Sequence, residues 1–246
     1  MSNKSATHFQ RFEFKYPIDI RVADRIIMGV LDYMKWDKNC TEKNDYIYSV
    51  SSLYYDTFGL GSYHEKDAGI RNRKKLRLRF YNDYIGNDTK VFMEIKRKRD
   101  MVVIKDRVSM TSKEFHNLFN GGEKKSFYDK CPVDEKETLE DFMFIKAINC
   151  MEPILLISYD RRAFESLLGL DFRVTFDYNI KASLAKWLDV RPIKKITKNL
   201  VIMEIKYNNV LPSWFHDIIL KYQLSRDTFS KYAMSLEACH KNFSTY

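Results

Sequence analysis

The chain has 246 residues, 45% hydrophobic and 15% aromatic, with only 8 Gly and 5 Pro; this composition excludes a disordered or collagen-like protein and supports a sizeable core. Lys and Arg outnumber Asp and Glu by 42 to 33, a net charge of +9 that admits a polyanionic partner, although only the positions of the charges can decide between that and a merely basic surface. Cys40, Cys131, Cys150 and Cys239 show neither a CxxC pair nor zinc-ligand spacing, and the opening MSNKSATHFQRFEFKY has no apolar signal stretch; no run approaches the roughly 20 apolar residues that span a bilayer, so a cytoplasmic protein with reduced thiols is expected.

The first segment, 11–16, alternates charged and apolar residues with the period of a strand whose faces differ. A helix is expected over 19–36, where Val22, Ile26, Ile27, Val30, Leu31 and Met34 recur near helical spacing. Residues 47–56 (IYSVSSLYYD) read as a strand, and 57–69 as turns with one helical turn. Strands at 75–81 and 91–98 flank the hairpin-like DYIGND, and 102–110 extends the meander. Thr111 and Glu114 have capping-box spacing ahead of Phe115 and Leu118, which predicts a short helix; a longer one is expected over 135–151. Strands follow at 154–164, 172–179 and 200–207, and helices at 212–222 and 228–240. The class is α+β, a single domain over 1–246, with antiparallel strands joined by hairpins and helices grouped outside the sheet.

Side chains at i and i+2 of a strand share a face, which sorts the charges. Arg11, Glu13 and Lys15 lie together; Lys75, Arg77 and Arg79 oppose Leu76, Leu78 and Phe80; Glu94, Lys96 and Lys98 oppose Met93 and Ile95. Lys105 pairs with Arg107, Arg173 aligns with Thr175 and Asp177, and Glu204 aligns with Lys206. Any one such face is what a solvated strand shows. Six segments with basic residues and few acids are different, because like charges on neighbouring strands repel. If the sheet curls with this face inward, the result is a basic, wet, barrel-like interior suited to phosphate oxygens, with Glu13, Glu94 and Glu204 as hard oxygen donors for a divalent cation.

The ordered motifs RFEFKY (11–16), SLYYDT (52–57), KLRLRFY (75–81), VFMEIKRK (91–98), YDRRAF (159–164), RVTFD (173–177), MEIKY (203–207) and SKY (230–232) resemble the VTC domain. This is the polyphosphate polymerase domain of the vacuolar transporter chaperone type, in the triphosphate tunnel metalloenzyme (CYTH-like) superfamily. The wider superfamily opens with ExExK; Arg11 in place of the first acid is common in the VTC branch. The resemblance implies a tunnel of about eight antiparallel strands that binds ATP and inorganic polyphosphate and transfers the γ-phosphoryl group to the chain. It implies Lys15, Arg77, Arg79, Lys96, Arg107 and Lys206 as phosphate ligands, Lys231, Arg161 and Arg173 as catalytic residues, and Glu204 and Glu94 as ligands of Mn²⁺ or Mg²⁺. Lys105 is a further lining residue. The sequence contains neither the SPX domain nor the membrane segments of the eukaryotic complex, and a membrane partner stays open.

Phosphoryl transfer needs charge neutralisation and alignment more than covalent help. The residues do not choose between a polyphosphate acceptor, water, and a silent binding module. No P-loop, GxSxG elbow or HExxH motif occurs, and the five histidines (His8, His64, His116, His216, His240) are scattered. A nucleic-acid polymer is disfavoured, since no RNP-like or KH-like motif appears and the aromatics fall largely opposite the charges.

Overall fold

The computed structural model describes residues 11–82, 84–99, 102–119, 124–188, 192, 194–208 and 210–240. Arg11 is described by its backbone, and its side chain lies outside the described residues. In chain order the elements are β1 (Arg11–Asp19), α1 (Ile20–Val30), β2 (Met34–Trp36), a 3-10 turn (Glu42–Asn44), β3 (Tyr48–Asp56), α2 (Gly61–Asp67), β4 (Arg73–Phe80), β5 (Lys90–Arg99), β6 (Val102–Thr111), α3 (Ser112–Phe119), α4 (Lys124–Lys130), α5 (Val133–Ile148), β7 (Glu152–Ser166), β8 (Phe172–Leu184), β9 (Lys194–Lys195), β10 (Leu200–Asn208), α6 (Ser213–Lys221) and α7 (Lys231–Cys239). All registers among these strands are antiparallel, and the α+β class is the one the sequence predicts. The described strands number ten against about eight expected; β2 and β9, of three and two residues, are too short to carry a period.

The chain divides into two compact units, and β7 and β8 each contribute to both. The first comprises Met1–Tyr46, Arg162–Asp177 and Asn199–Phe229. Within it β1 pairs with β10, β10 with the start of β8, and β2 with the end of β7. Helix α1 starts where Asp19 accepts a hydrogen bond from the Arg21 backbone N–H, and it buries Ala23, Ile26, Ile27 and Val30 along one stripe. It ends at Val30 rather than near Trp36. Met34 and Trp36 alternate about exposed Lys35, and the Trp36 ring packs 4.4 Å from Phe164, so strand pairing wins over the helical period.

The second unit comprises Ile47–Arg161, Tyr178–Lys198 and Ser230–Tyr246. Its strands run in the order β7-β3-β4-β5-β6, with β9 on the end of β8. Leu76, Leu78, Met93, Ile95, Val108 and Met110 turn to one side and pack with Phe115, Leu118, Leu139, Phe142 and Ile145 of α3 and α5, so this apolar face is covered by helices. Burial of each such side chain is worth about 1.5–3 kcal/mol. The capping box holds: Thr111 Oγ1 accepts from the Glu114 N–H at 3.2 Å, and the Glu114 carboxylate accepts from the Thr111 N–H at 2.8 Å. Helix α5 begins two residues early because Pro132 pre-sets the entry, and it stops before Cys150, whose φ of 47° lies in the left-handed region. Arg97 pairs with Asp106 and with Asp141 of α5, which fastens that helix to the sheet.

Candidate functional site

The other face of the second unit's sheet carries the charges. Strict alternation puts Arg73, Lys75, Arg77 and Arg79 of β4, Lys90, Lys96 and Lys98 of β5, and Lys105 and Arg107 of β6 on it, with Glu94 the sole acid that these three strands add. The register lines Lys75, Lys96 and Lys105 into one row and Tyr54, Arg77, Glu94 and Arg107 into the next.

The Glu94 side chain is 0% exposed and carries three cations. Arg77 Nε donates to Oε2 at 2.7 Å; Lys105 Nζ and Arg107 Nη2 reach Oε1 at 2.6 and 2.5 Å. Burial alone would raise its pKa, but Arg77, Arg79 and Lys105 hold it far below the usual carboxylate range. Burial lowers Lys105 to about 7, with Arg77 and Arg107 adding to the effect and Glu94 opposing it. A buried acid with its lone pairs spent on three cations organises the cluster; as a metal ligand it would have to surrender them.

The arginines also rest on phenols. Arg77 Nη1 donates to Tyr54 Oη at 3.3 Å, Arg79 Nη2 to Tyr159 Oη at 3.4 Å, and Arg107 Nη2 to Tyr81 Oη at 3.2 Å. Arg79 is buried and also donates to Ser52 Oγ at 3.2 Å. The Tyr159 ring lies 5.1 Å from the Arg161 guanidinium carbon and 4.9 Å from Lys231 Nζ, so one aromatic face gathers both cations. Lys231 opens α7, where Ser230 Oγ accepts from the Ala233 N–H; the neighbouring Tyr232 donates to buried Asp56 at 2.5 Å. Asp56 also accepts from the backbone N–H groups of Thr57, Ser62 and Tyr63, capping α2.

In the first unit, Lys15 faces Glu204 and Glu13 faces Lys206 across β1 and β10, and Lys206 faces Arg173 across β10 and β8. Lys206 Nζ lies 2.6 Å from Glu204 Oε1 and 3.8 Å from Glu13 Oε2; Lys15 Nζ lies 3.3 Å from Glu13 and 3.3 Å from the Phe229 carbonyl. Arg173 Nη2 is held 2.6 Å from buried Asp37, while its Nε is buried without a hydrogen-bond partner among the described residues. Two carboxylates thus share one cation position at Lys206. No group of three or more His, Cys, Asp or Glu side chains suited to a metal occurs among the described residues. Glu204 and Glu13 nonetheless suit Mg²⁺ or Mn²⁺, which bind through one or two carboxylates and take water and substrate oxygens for the rest.

Arg77, Arg79, Glu94, Lys96, Arg107, Arg161 and Lys231 therefore fall in the second unit, and Lys15, Arg173, Glu204 and Lys206 in the first. Sequence reasoning missed Tyr54, Tyr81 and Asp37. The parity of β3 puts Tyr54 opposite Arg77, but an uncharged residue did not register in a search for charge; Asp37 follows a strand too short to predict.

A basic antiparallel face lined by arginine–phenol pairs defines an anion-handling α+β protein. The VTC domain family model matches residues 10–240, and the chain belongs to that family. No individually curated protein matches it in sequence. Among solved structures, it is similar to an adenylyl cyclase candidate from Hippeastrum described as having a dominant triphosphatase activity, with 10% identity, a TM-score of 0.52, and 92% of this chain and 95% of that one covered. That likeness is one of fold, the triphosphate tunnel fold. A Pyrococcus horikoshii protein aligns with 12% identity and a TM-score of 0.47 over 92% of this chain and 98% of that one. Among the described residues no helix is long and apolar enough to cross a membrane.

Proposed function

We propose that the chain is a cytoplasmic ATP:polyphosphate phosphotransferase that lengthens inorganic polyphosphate. The observation that carries this reading is the face of β4, β5 and β6, with nine cations to one acid. A sheet tolerates such a row where a multivalent anion offsets the repulsion, and guanidinium forks with ammonium groups match the oxygens of a phosphate chain. Membership of the VTC family supports the substrate class.

In this reading Arg77, Arg79, Lys96 and Arg107 hold phosphate oxygens, and Lys231 and Arg161 take the charge that develops on the transferring group. In the first unit Lys15, Lys206 and Arg173 have the same chemistry, and Glu204 with Glu13 holds Mg²⁺ or Mn²⁺. The metal, when bound, offsets negative charge on phosphoryl oxygens. Glu94 serves as the counter-ion that fixes Arg77, Lys105 and Arg107 in place. The bond between the β,γ-bridging oxygen and the γ-phosphorus breaks, its electrons leaving with ADP, while a terminal polyphosphate oxygen bonds to that phosphorus.

The test is to incubate the pure protein with ATP and Mn²⁺ and to resolve polyphosphate, ADP and free phosphate. Long chains with ADP support the polymerase. Free phosphate without chains overturns it in favour of a metal-dependent triphosphate hydrolase, and polyphosphate binding without turnover leaves a binding module.

A further inference from the structure

We propose that Tyr54 is a further ligand of the bound phosphate chain, its hydroxyl donating a hydrogen bond to a phosphoryl oxygen beside Arg77. The inference rests on the reading of the basic face as a polyphosphate site. Tyr54 stands directly opposite Arg77 in the register of β3 and β4, and its oxygen accepts from Arg77 Nη1 at 3.3 Å. A phenol oxygen that accepts in this way keeps its own proton to give. Among the described residues that proton finds no acceptor, whereas Tyr46, Tyr63 and Tyr232 each donate to a carboxylate. The ring is held: it packs 5.2 Å from the ring of Tyr232, itself fixed to Asp56. Tyr54 is thus a rigid, half-buried donor among cations, and a phosphoryl oxygen is the acceptor this setting draws in.

Ionisation follows from the same neighbours. Facing Tyr54 are Arg77 and Arg79 of β4 and Lys231 and Tyr232 of α7; Lys75 lies over the Tyr232 ring, Asp56 takes its hydroxyl, and Glu94 stands behind Arg77. Burial would raise the phenol, but Arg77, Arg79 and Lys231 bring it down to about 8. A polyanion that neutralises those cations restores the neutral phenol, so binding near pH 8 converts a tyrosinate to tyrosine.

The experiment adds tripolyphosphate to the protein at about pH 8 and follows binding by calorimetry and tyrosinate by its near-ultraviolet absorption. Wild type is expected to lose tyrosinate absorption on binding. Tyr54→Phe is expected to show no such loss and to bind about tenfold more weakly at neutral pH. Should Tyr54→Phe fail to fold, Tyr81→Phe removes the other phenol whose pKa the arginines lower; the signal must survive in it, and its disappearance there overturns the proposal. If wild type binds tripolyphosphate and Tyr54→Phe matches it in affinity and signal, the role of Tyr54 falls while the polyphosphate reading stands. If wild type does not bind tripolyphosphate at all, the reading falls and takes the proposal with it.

Discussion

Tyr232 gives its hydroxyl proton to the buried carboxylate of Asp56 at 2.5 Å, one residue along the chain from Lys231. Asp56 in turn caps α2 through the Ser62 and Tyr63 amides, so a single carboxylate fixes the starts of two helices. Tyr232→Phe removes a hydrogen bond to a charged acceptor and is expected to cost about 1.5–3 kcal/mol. A urea unfolding curve with a lowered midpoint and unchanged slope checks this. The same variant is expected to lower kcat more than it raises KM, because Lys231 loses its anchor.

Glu94→Gln leaves three cations around a neutral amide and is expected to cost about 3–5 kcal/mol at neutral pH. Tripolyphosphate is expected to return much of the lost melting temperature, since an anion that binds only the folded state stabilises it by mass action. The pH dependence has a definite sign. The Glu94 pKa is depressed in the folded protein, so its contribution is fully present above the unfolded value near 4.5 and is lost as pH falls below that toward the folded value. The gap between wild type and Glu94→Gln should therefore narrow on acidification, which unfolding curves at neutral and acid pH will show.

Lys231→Ala removes a partly exposed side chain at the first position of α7 and is expected to change stability by less than about 0.5 kcal/mol. Turnover of ATP is expected to fall by about 100-fold or more, the usual cost of removing a group that stabilises charge in the transition state. Normal turnover in a folded Lys231→Ala protein rules out that role.

Glu204→Gln keeps the shape of the side chain but halves the carboxylate pair around Lys206. The expected result is at least about tenfold weaker Mn²⁺ binding, measured by the paramagnetic relaxation of water protons, with the far-ultraviolet spectrum unchanged. Unaltered Mn²⁺ affinity removes Glu204 from the metal site.

The basic rows were legible in the sequence because the side-chain period of a strand is fixed: once 75–81 and 91–98 read as strands, Arg77 and Arg79 had to share one face and Leu76 and Leu78 the other. The hairpin-like DYIGND put 75–81 beside 91–98, with 102–110 extending that meander, whereas the neighbours of the other strands were not readable from periodicity. The partners of those charges were not legible. That Glu94 gathers Arg77, Lys105 and Arg107, or that phenols support three arginines, depends on the register between strands, which no single segment encodes. The end of α1 was misread because Met34 satisfies both a helical and a two-residue period, and the choice fell to long-range pairing with Ser166.

The alternation along β5 leaves no room for a change of length inside it. One residue inserted after Glu94 would carry Lys96 to the side of Leu76 and Phe142 and turn Ile95 toward Lys105, exchanging an oil-facing and a salt-facing register in one step. Insertions and deletions compatible with this fold therefore belong in the connection between Phe80 and Lys90, where added residues lengthen a turn without reversing any side chain that follows.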